Sequence, residues 1–209
     1  VKIGPDVKKI GSYAFYDCSN MVKIEIPDNV SFIGNSAFWG CTALKSIHLP
    51  SSLQTVEWFC FRGCTSLESI DLPENLRSIQ NSAFSHCKKL QTIRIPDNVA
   101  EIAEGTFSAC DELSAFTGKY ASDDGRCLIV DGNLIAIAPY GLSIITLPDN
   151  LTKIGSYVFY ENNNIQEVVL GNNVSSISQH AFTSSKITEI VLPDSVKDIG
   201  FRCFYECRK

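Results

Sequence analysis

Four prolines, Pro27, Pro50, Pro73 and Pro96, stand 23 residues apart, and the stretch behind each is a rewriting of the one before. PDNVSFIGNSAFWGCTALKSIHL (27–49) becomes PSSLQTVEWFCFRGCTSLESIDL (50–72) and then PENLRSIQNSAFSHCKKLQTIRI (73–95). A fixed period of this length constrains the fold more than composition does. One unit cannot bury its apolar face alone, so it must stack on its neighbours, and the product is a solenoid. An earlier copy starts at Pro5, and later ones start at Pro148, Gly171 and Pro193. The expectation is a single array over residues 1–209, of about eight coils of 22–23 residues, with a β-hairpin insertion at about 119–147. The chain opens at Val1 and stops inside a coil, as a piece excised from a longer protein would.

Within a coil the apolar positions sort into ridges. In the second coil Leu44, Ile47 and Leu49 follow the spacing L-x-x-I-x-L of a leucine-rich repeat. Its alternation predicts a short strand with one face buried, paired in parallel with the strands of adjacent coils. Pro50 ends that strand because it has no N–H for the ladder. Val30 and Ile33 form a second inward ridge on the return side. Ala37, Phe38 and Cys41, three or four apart, predict one helical or 3-10 turn. Phe38 has counterparts at Phe15, Phe61, Phe84, Phe107, Phe159, Phe182 and Phe204, which predicts a continuous aromatic spine. Gly11, Gly34, Gly155 and Gly200 follow the return ridge and are read as a bend with positive φ. The predicted fold class is therefore α/β: a β-rich leucine-rich repeat solenoid with short helical or 3-10 turns and an inserted hairpin.

The insertion has a different rhythm. Two apolar runs, Cys127–Val130 and Leu134–Ala138, flank Asp131-Gly132-Asn133, and an Asp-Gly between apolar runs is a hairpin signal. Of nine cysteines, Cys18, Cys41, Cys64, Cys87, Cys110 and Cys207 each stand three residues after a repeat Phe. They should stack in the core as small hydrophobes. Their ~5 Å coil-to-coil spacing would admit a disulfide, but like side chains pointing the same way need not bridge, and reduced buried thiols are favoured. The cysteine count therefore does not fix the compartment.

Chemistry is sparse. A net charge of −5 offers no basic footprint for nucleic acid or anionic lipid. No apolar run approaches the ~18–20 residues of a membrane span. His48, His86 and His180 occupy different places in their coils, so the register builds no shared site. Cys60/Cys64 and Cys203/Cys207 lie five coils apart and cannot share a zinc ion. Asp123, Asp124 and Asp131 do not match a calcium-loop spacing. G-x-S-x-G, H-E-x-x-H and phosphate-loop patterns are absent from the sequence. Two sequons, Asn150-Leu-Thr152 and Asn173-Val-Ser175, matter only in a eukaryotic secretory setting. No catalytic, metal-binding or cofactor-binding residue is assigned, and neither enzyme activity nor a cofactor is expected.

What is left is the repeated surface. Two columns should point outward from the sheet: Glu25, His48, Asp71 and Arg94, and beside them Lys23, Ser46, Ser69 and Thr92. They vary in chemistry while the inward columns do not, as a binding face would; a merely solvated face would vary too. A second candidate is a set of edge aromatics, Tyr16, Trp39, Trp58, Tyr160 and Tyr205, which a solvated edge does not require and which suit protein contacts.

The pattern I-P-x-x-V-x-x-I-G-x-x-A-F-x-x-C-x-x-L, clearest from Ile26 to Leu44, resembles the BspA-like leucine-rich repeat proteins of bacteria, notably gut Bacteroides. The insertion DGRCLIVDGNLIAIAPYG (124–141) is similar to a hairpin found between their repeat blocks. The resemblance implies a right-handed solenoid, extracellular or attached to the cell surface, with a host or bacterial surface protein as partner. It carries over no functional residue, because the motif is structural. The expected function is a non-catalytic module for adhesion or protein binding, with a passive spacer in a larger surface protein as the alternative.

Overall fold

The computed structural model describes residues 1–207. Among them the chain forms two ladders of short strands joined by tight turns, and it forms no helix. The L-x-x-I-x-L strands make one ladder: Ser46–His48 pairs in parallel with Ser69–Asp71, Thr92–Ile95 with Ala115–Gly118, and Ile144–Thr146 with Glu167–Val169 and then Glu189–Val191. The return ridges make the other, for example Thr55–Val56, Ser78–Ile79 and Glu101–Ile102. Parallel register follows from the repeat, because residues one period apart must lie side by side. The inward positions of the inner coils are closed to solvent, as Ile47, Ile70 and Ile93 show, whereas Ile190 is half-buried and Ile199 of the last coil is exposed.

The α/β assignment and the helical or 3-10 turn are corrected by this structure. The turn holding Ala37, Phe38 and Cys41 has residues at positive φ four positions apart, Ser36 (55°) and Gly40 (75°), which no right-handed helix can contain. The same pair recurs at Phe59 and Gly63, Ser82 and His86, Tyr157 and Glu161, and His180 and Ser184. The backbone bonds give the reason. Cys41 N donates to Phe38 O in its own turn (3.2 Å), while Phe38 N donates to Cys60 O in the next coil (2.9 Å). Amides that alternate between their own turn and the neighbouring coil produce a three-to-four spacing without a helix.

The role predicted for the post-ridge glycines is also corrected. Gly40, Gly63 and Gly105 carry the positive φ, whereas Gly34, Gly155 and Gly200 do not. Gly11 does not either. At Gly34, Gly155 and Gly200 the backbone of the neighbouring coil comes too close for a side chain. A Cβ on Gly34 would stand 2.5 Å from Ser12 N, and one on Gly155 would stand 2.5 Å from Leu134 O.

The aromatic spine forms, but in two pieces. Phe15, Phe38, Phe61, Phe84 and Phe107 stack nearly parallel with centroids 5.3–5.5 Å apart. Phe107 then meets Phe116 edge-on at 5.4 Å, and a second stack of Phe159, Phe182 and Phe204 begins beyond the insertion. The break is made by a hairpin, Cys127–Val130 paired antiparallel with Asn133–Ile137. Asp131 (φ 49°) and Gly132 (φ 74°) supply the two left-handed residues of its turn. Its side chains divide between two apolar cores. Leu128, Ala136 and Ala138 join the core of the first five coils, and Cys127, Leu134 and Ile137 join that of the later coils. A hairpin buried on both faces needs near-continuous apolar runs, and both strands have them.

The stacked cysteines point inward as free thiols. Each donates to a carbonyl one coil back: Cys41 to Phe15 O (3.1 Å), Cys64 to Phe38 O (3.2 Å), Cys87 to Phe61 O (3.2 Å) and Cys110 to Phe84 O (3.3 Å). Burial pushes the Cys41 thiol up to about 11 and the Cys110 thiol up to about 12, so the reactive thiolate is scarce. Native-state labelling with a chromogenic disulfide reagent should reach Cys18 and Cys207, the partly exposed pair, and modify the other seven only on unfolding. Prompt labelling of more than two thiols would contradict this packing.

Candidate functional site

The outward columns lie where the register puts them. His48 stands opposite Asp71 and Ser46 opposite Ser69, and Arg94 and Thr92 stand beside Thr117 and Ala115 of the next strand. Lys23, Glu25, Ser46, His48, Ser69, Asp71, Thr92 and Arg94 are all exposed. Their ion pairs are Lys23–Glu25 at 3.2 Å and Arg94–Glu74 at 2.6 Å, and His48 Nε2 lies 3.6 Å from Asp28 Oδ1. Pairs so open to water contribute little to stability. Beyond the insertion one column of this face turns apolar, with Val169 and Val191 exposed side by side, while the other carries Glu167 and Glu189.

The edge aromatics do not form one set. Tyr13, Tyr16, Trp39 and Phe59 run as a chain of tilted rings with centroids 5.5–5.7 Å apart, and Arg62 lies 5.1 Å from the Trp39 ring. Trp58, Tyr160 and Tyr205 instead line a cleft of about 700 Å³ on the turn side of the array. Sequence reasoning missed this cleft, and its origin explains why. The insertion supplies ladder strands, Asn133–Ile137 against Lys153–Ile154 and Ile144–Thr146 against Glu167–Val169, but no turn of its own. The turn-to-turn bonds run through Phe84 N to Thr106 O and His86 N to Ser108 O, then resume at Phe159 N to Ala181 O. Among the described residues no backbone bond joins the turn at Gly105–Cys110 to the turn at Ser156–Asn162. A layer is missing on that side only.

Small residues and long ones meet across the gap. Gly105 and Ala109 occupy the two positive-φ columns of the fifth coil, so that turn projects almost nothing. Tyr157 fills the space, close enough that a Cβ on Gly105 would be 3.5 Å from its side chain. His86 of the fourth coil reaches past the fifth to Glu161 of the sixth, Nε2 to Oε2 3.1 Å, and its ring meets Tyr160 edge-on. Asn164 Nδ2 donates to Asp111 O at 2.8 Å below them. Burial alone would raise the Glu161 carboxyl, but hydrogen bonds from Tyr160 and His86 outweigh it and hold the group below its usual value. At Asp111 burial outweighs the nearby Lys88 and His86 and raises the carboxyl.

His86 and His180, which the register separates, both line this cleft. Ser85 Oγ lies 2.8 Å from His86 Nδ1, whose other ring nitrogen meets Glu161. Ser108 Oγ donates to Ser85 Oγ at 2.8 Å, and Ser85 is only 2% exposed. A hydroxyl so buried is not presented to a substrate, and the relay serves as a tie across the gap. Among the described residues no three His, Cys, Asp or Glu side chains could hold a metal ion, and no helix is long and apolar enough to cross a membrane.

A β-solenoid of about eight turns with an L-x-x-I-x-L ladder defines the class as leucine-rich repeat. The chain matches the BspA type leucine rich repeat region in six copies over residues 1–120 and 138–209, and it belongs to that family. A leucine rich cell surface protein from Faecalibacterium prausnitzii is similar in structure, with a TM-score of 0.71 and 25% identity, covering 96% of this chain and 60% of that one. The pneumococcal vaccine antigen PcpA shares the fold with a TM-score of 0.79 and 21% identity, over 95% of this chain and 57% of PcpA. A leucine-rich repeat protein from Bacteroides ovatus gives a TM-score of 0.57 at 25% identity, over 99% and 72%. The chain thus spans about three fifths of the first two proteins. No curated protein sequence matches it.

Proposed function

We propose that this chain is a non-catalytic protein-binding module, extracellular or attached to a cell surface, and that the outward columns of the main ladder are its binding face. The observation that carries this reading is the contrast between columns. Inward positions repeat Ile, Leu and Phe, while the exposed positions beside them change charge and size from coil to coil. Its mechanism is a sum of weak contacts over a rigid surface, whose strands are already ordered and lose little entropy on binding. Membership of the BspA-type family and the likeness to a bacterial leucine rich cell surface protein support a surface location. Incomplete burial of the edge rings, with Trp58 half exposed and Tyr16 48% exposed, favours a binder over a passive spacer.

The test is capture of partners from host mucosal and bacterial surface extracts. Combined substitution of Glu25, His48, Asp71 and Arg94 by alanine is expected to lower captured partner at least tenfold (about 1.4 kcal/mol) while leaving the fold intact. Loss on Trp39→Ala alone would move the site to the edge. Failure to capture anything specific would leave the chain as a spacer.

A further inference from the structure

The cleft on the turn side has a chemistry of its own, and it goes beyond protein binding by the ladder face. Among the described residues, not one Leu, Ile, Val or Met lines it. Its two walls are aromatic and cationic: Trp58, Phe59 and Arg62 before the missing layer, and Tyr157, Tyr160 and Tyr205 after it. Between them lie the short polar side chains that reach solvent, Asn81, Ser82 and Ser184, as a floor. Arg62 and Arg202 are matched by Glu104 and Glu206, so the lining carries no strong charge of either sign.

The walls are braced in advance. Trp58 Nε1 donates to Gln80 Oε1 at 2.9 Å, which fixes the indole although half of it is exposed. Tyr157 stacks on His180 at 5.2 Å with ring planes 7° apart, and Tyr160 leans on Tyr157 at 5.7 Å. Arg202 lies 4.9 Å from the Tyr205 ring. Positive φ at Phe59, Ser82, Tyr157, His180 and Arg202 repeats one backbone geometry along the cleft. From the third coil to the eighth, six ladder steps with the inserted strand counted, it extends on the order of 29 Å at the ladder spacing.

These features select among ligands. An amphipathic helix anchors through apolar side chains in aliphatic sockets, which this lining lacks, whereas a proline-rich peptide can dock on aromatic rings and is therefore the control that the test must include. A nucleic acid or an anionic glycan requires net positive charge, which the balanced lining does not supply. A neutral sugar ring has a C–H face, weakly positive, that packs against the negative face of an aromatic ring. Its rim of hydroxyls both donates and accepts. That rim suits a floor of hydroxyls and carboxamide beside carboxylate and guanidinium groups. Concave shape, a few convergent polar groups and pre-set rings are the properties of a ligand site.

We infer that the turn-side cleft created by the missing layer is a binding site for a neutral oligosaccharide, with Trp58 and Tyr160 as its stacking platforms. The experiment is saturation-transfer NMR and tryptophan-fluorescence titration of the whole chain. The probes are the linear hexasaccharides of β-1,4-glucose, β-1,4-mannose, β-1,4-xylose and α-1,4-glucose, with a proline-rich peptide as control. At least one hexasaccharide is expected to bind saturably and to perturb the fluorescence. Trp58→Ala and Tyr160→Ala should each weaken it tenfold or more, with far-UV circular dichroism and melting temperature showing that both variants fold. The ladder-face variant lacking Glu25, His48, Asp71 and Arg94 should bind sugar as the parent does, which separates this site from the protein-binding face. Three results would overturn the inference: no hexasaccharide binding, sugar binding indifferent to Trp58 and Tyr160, or Trp58-dependent binding of the peptide alone.

Discussion

Phe38→Ala is expected to lower the stability of the chain by about 3–5 kcal/mol. Phe38 is fully buried and packs between Phe15 at 5.3 Å and Phe61 at 5.4 Å. Truncation leaves a void between two rings, and the coils cannot close over it. Their separation is set by backbone bonds, Phe15 N to Ala37 O at 2.8 Å and Phe38 N to Cys60 O at 2.9 Å, which would have to break first. The cost should therefore lie near the full sum of lost transfer energy and unrelieved cavity. In a urea titration the midpoint should fall while the slope holds, since the surface exposed on unfolding is unchanged. A loss below about 1 kcal/mol would mean that the spine carries no packing energy.

Leu134→Asp should act differently, by uncoupling the two cores. Leu134 is fully buried in the hairpin, pairs with Ile154, and accepts a hydrogen bond from Gly155 N at 2.9 Å. A carboxylate placed there must lose its hydration or take up a proton, at a cost of several kcal/mol. Apart from the tie of His86 to Glu161 and Tyr160, the coils pack mainly on their neighbours, so damage at the junction falls on the later coils, whose core rests on the hairpin. Both tryptophans, Trp39 and Trp58, lie in the first block. Their fluorescence reports that block, whereas far-UV circular dichroism reports every ladder strand. In the variant, dichroism should lose a first step at low denaturant while the fluorescence stays native. A single coincident transition would show that the hairpin does not join the cores in this way.

The cleft shows how a local deletion can make a site. The inserted segment keeps the ladders running but adds no turn, so the turn side opens by one layer. Tyr157, Tyr160 and Glu161 lean into the opening because Gly105 and Ala109 leave it empty. The ladder face needs no such event, since it follows from the repeat in every coil. Two surfaces of one array are thereby given different chemistries, a variable charged face and an aromatic-walled groove.

The sequence alone determined the repeat, its register, the inward columns and the outward face from Lys23 to Arg94. These depend on spacing, and stacking at one fixed period converts spacing into position. It also marked the turn at Asp131-Gly132, because two successive left-handed residues have a local chemical signature. The tertiary structure decided the rest. Turn amides that bond the neighbouring coil replaced the helical turn, and no spacing within one coil can reveal a bond to the next. Gly34 and Gly155 answer to a neighbour's backbone, not to their own dihedrals. His86 and Glu161 are 75 residues apart in the chain and meet only because a layer is absent between them. Spacing records what is present in each coil, whereas the cleft is made by what one coil lacks, and only the packed array shows that.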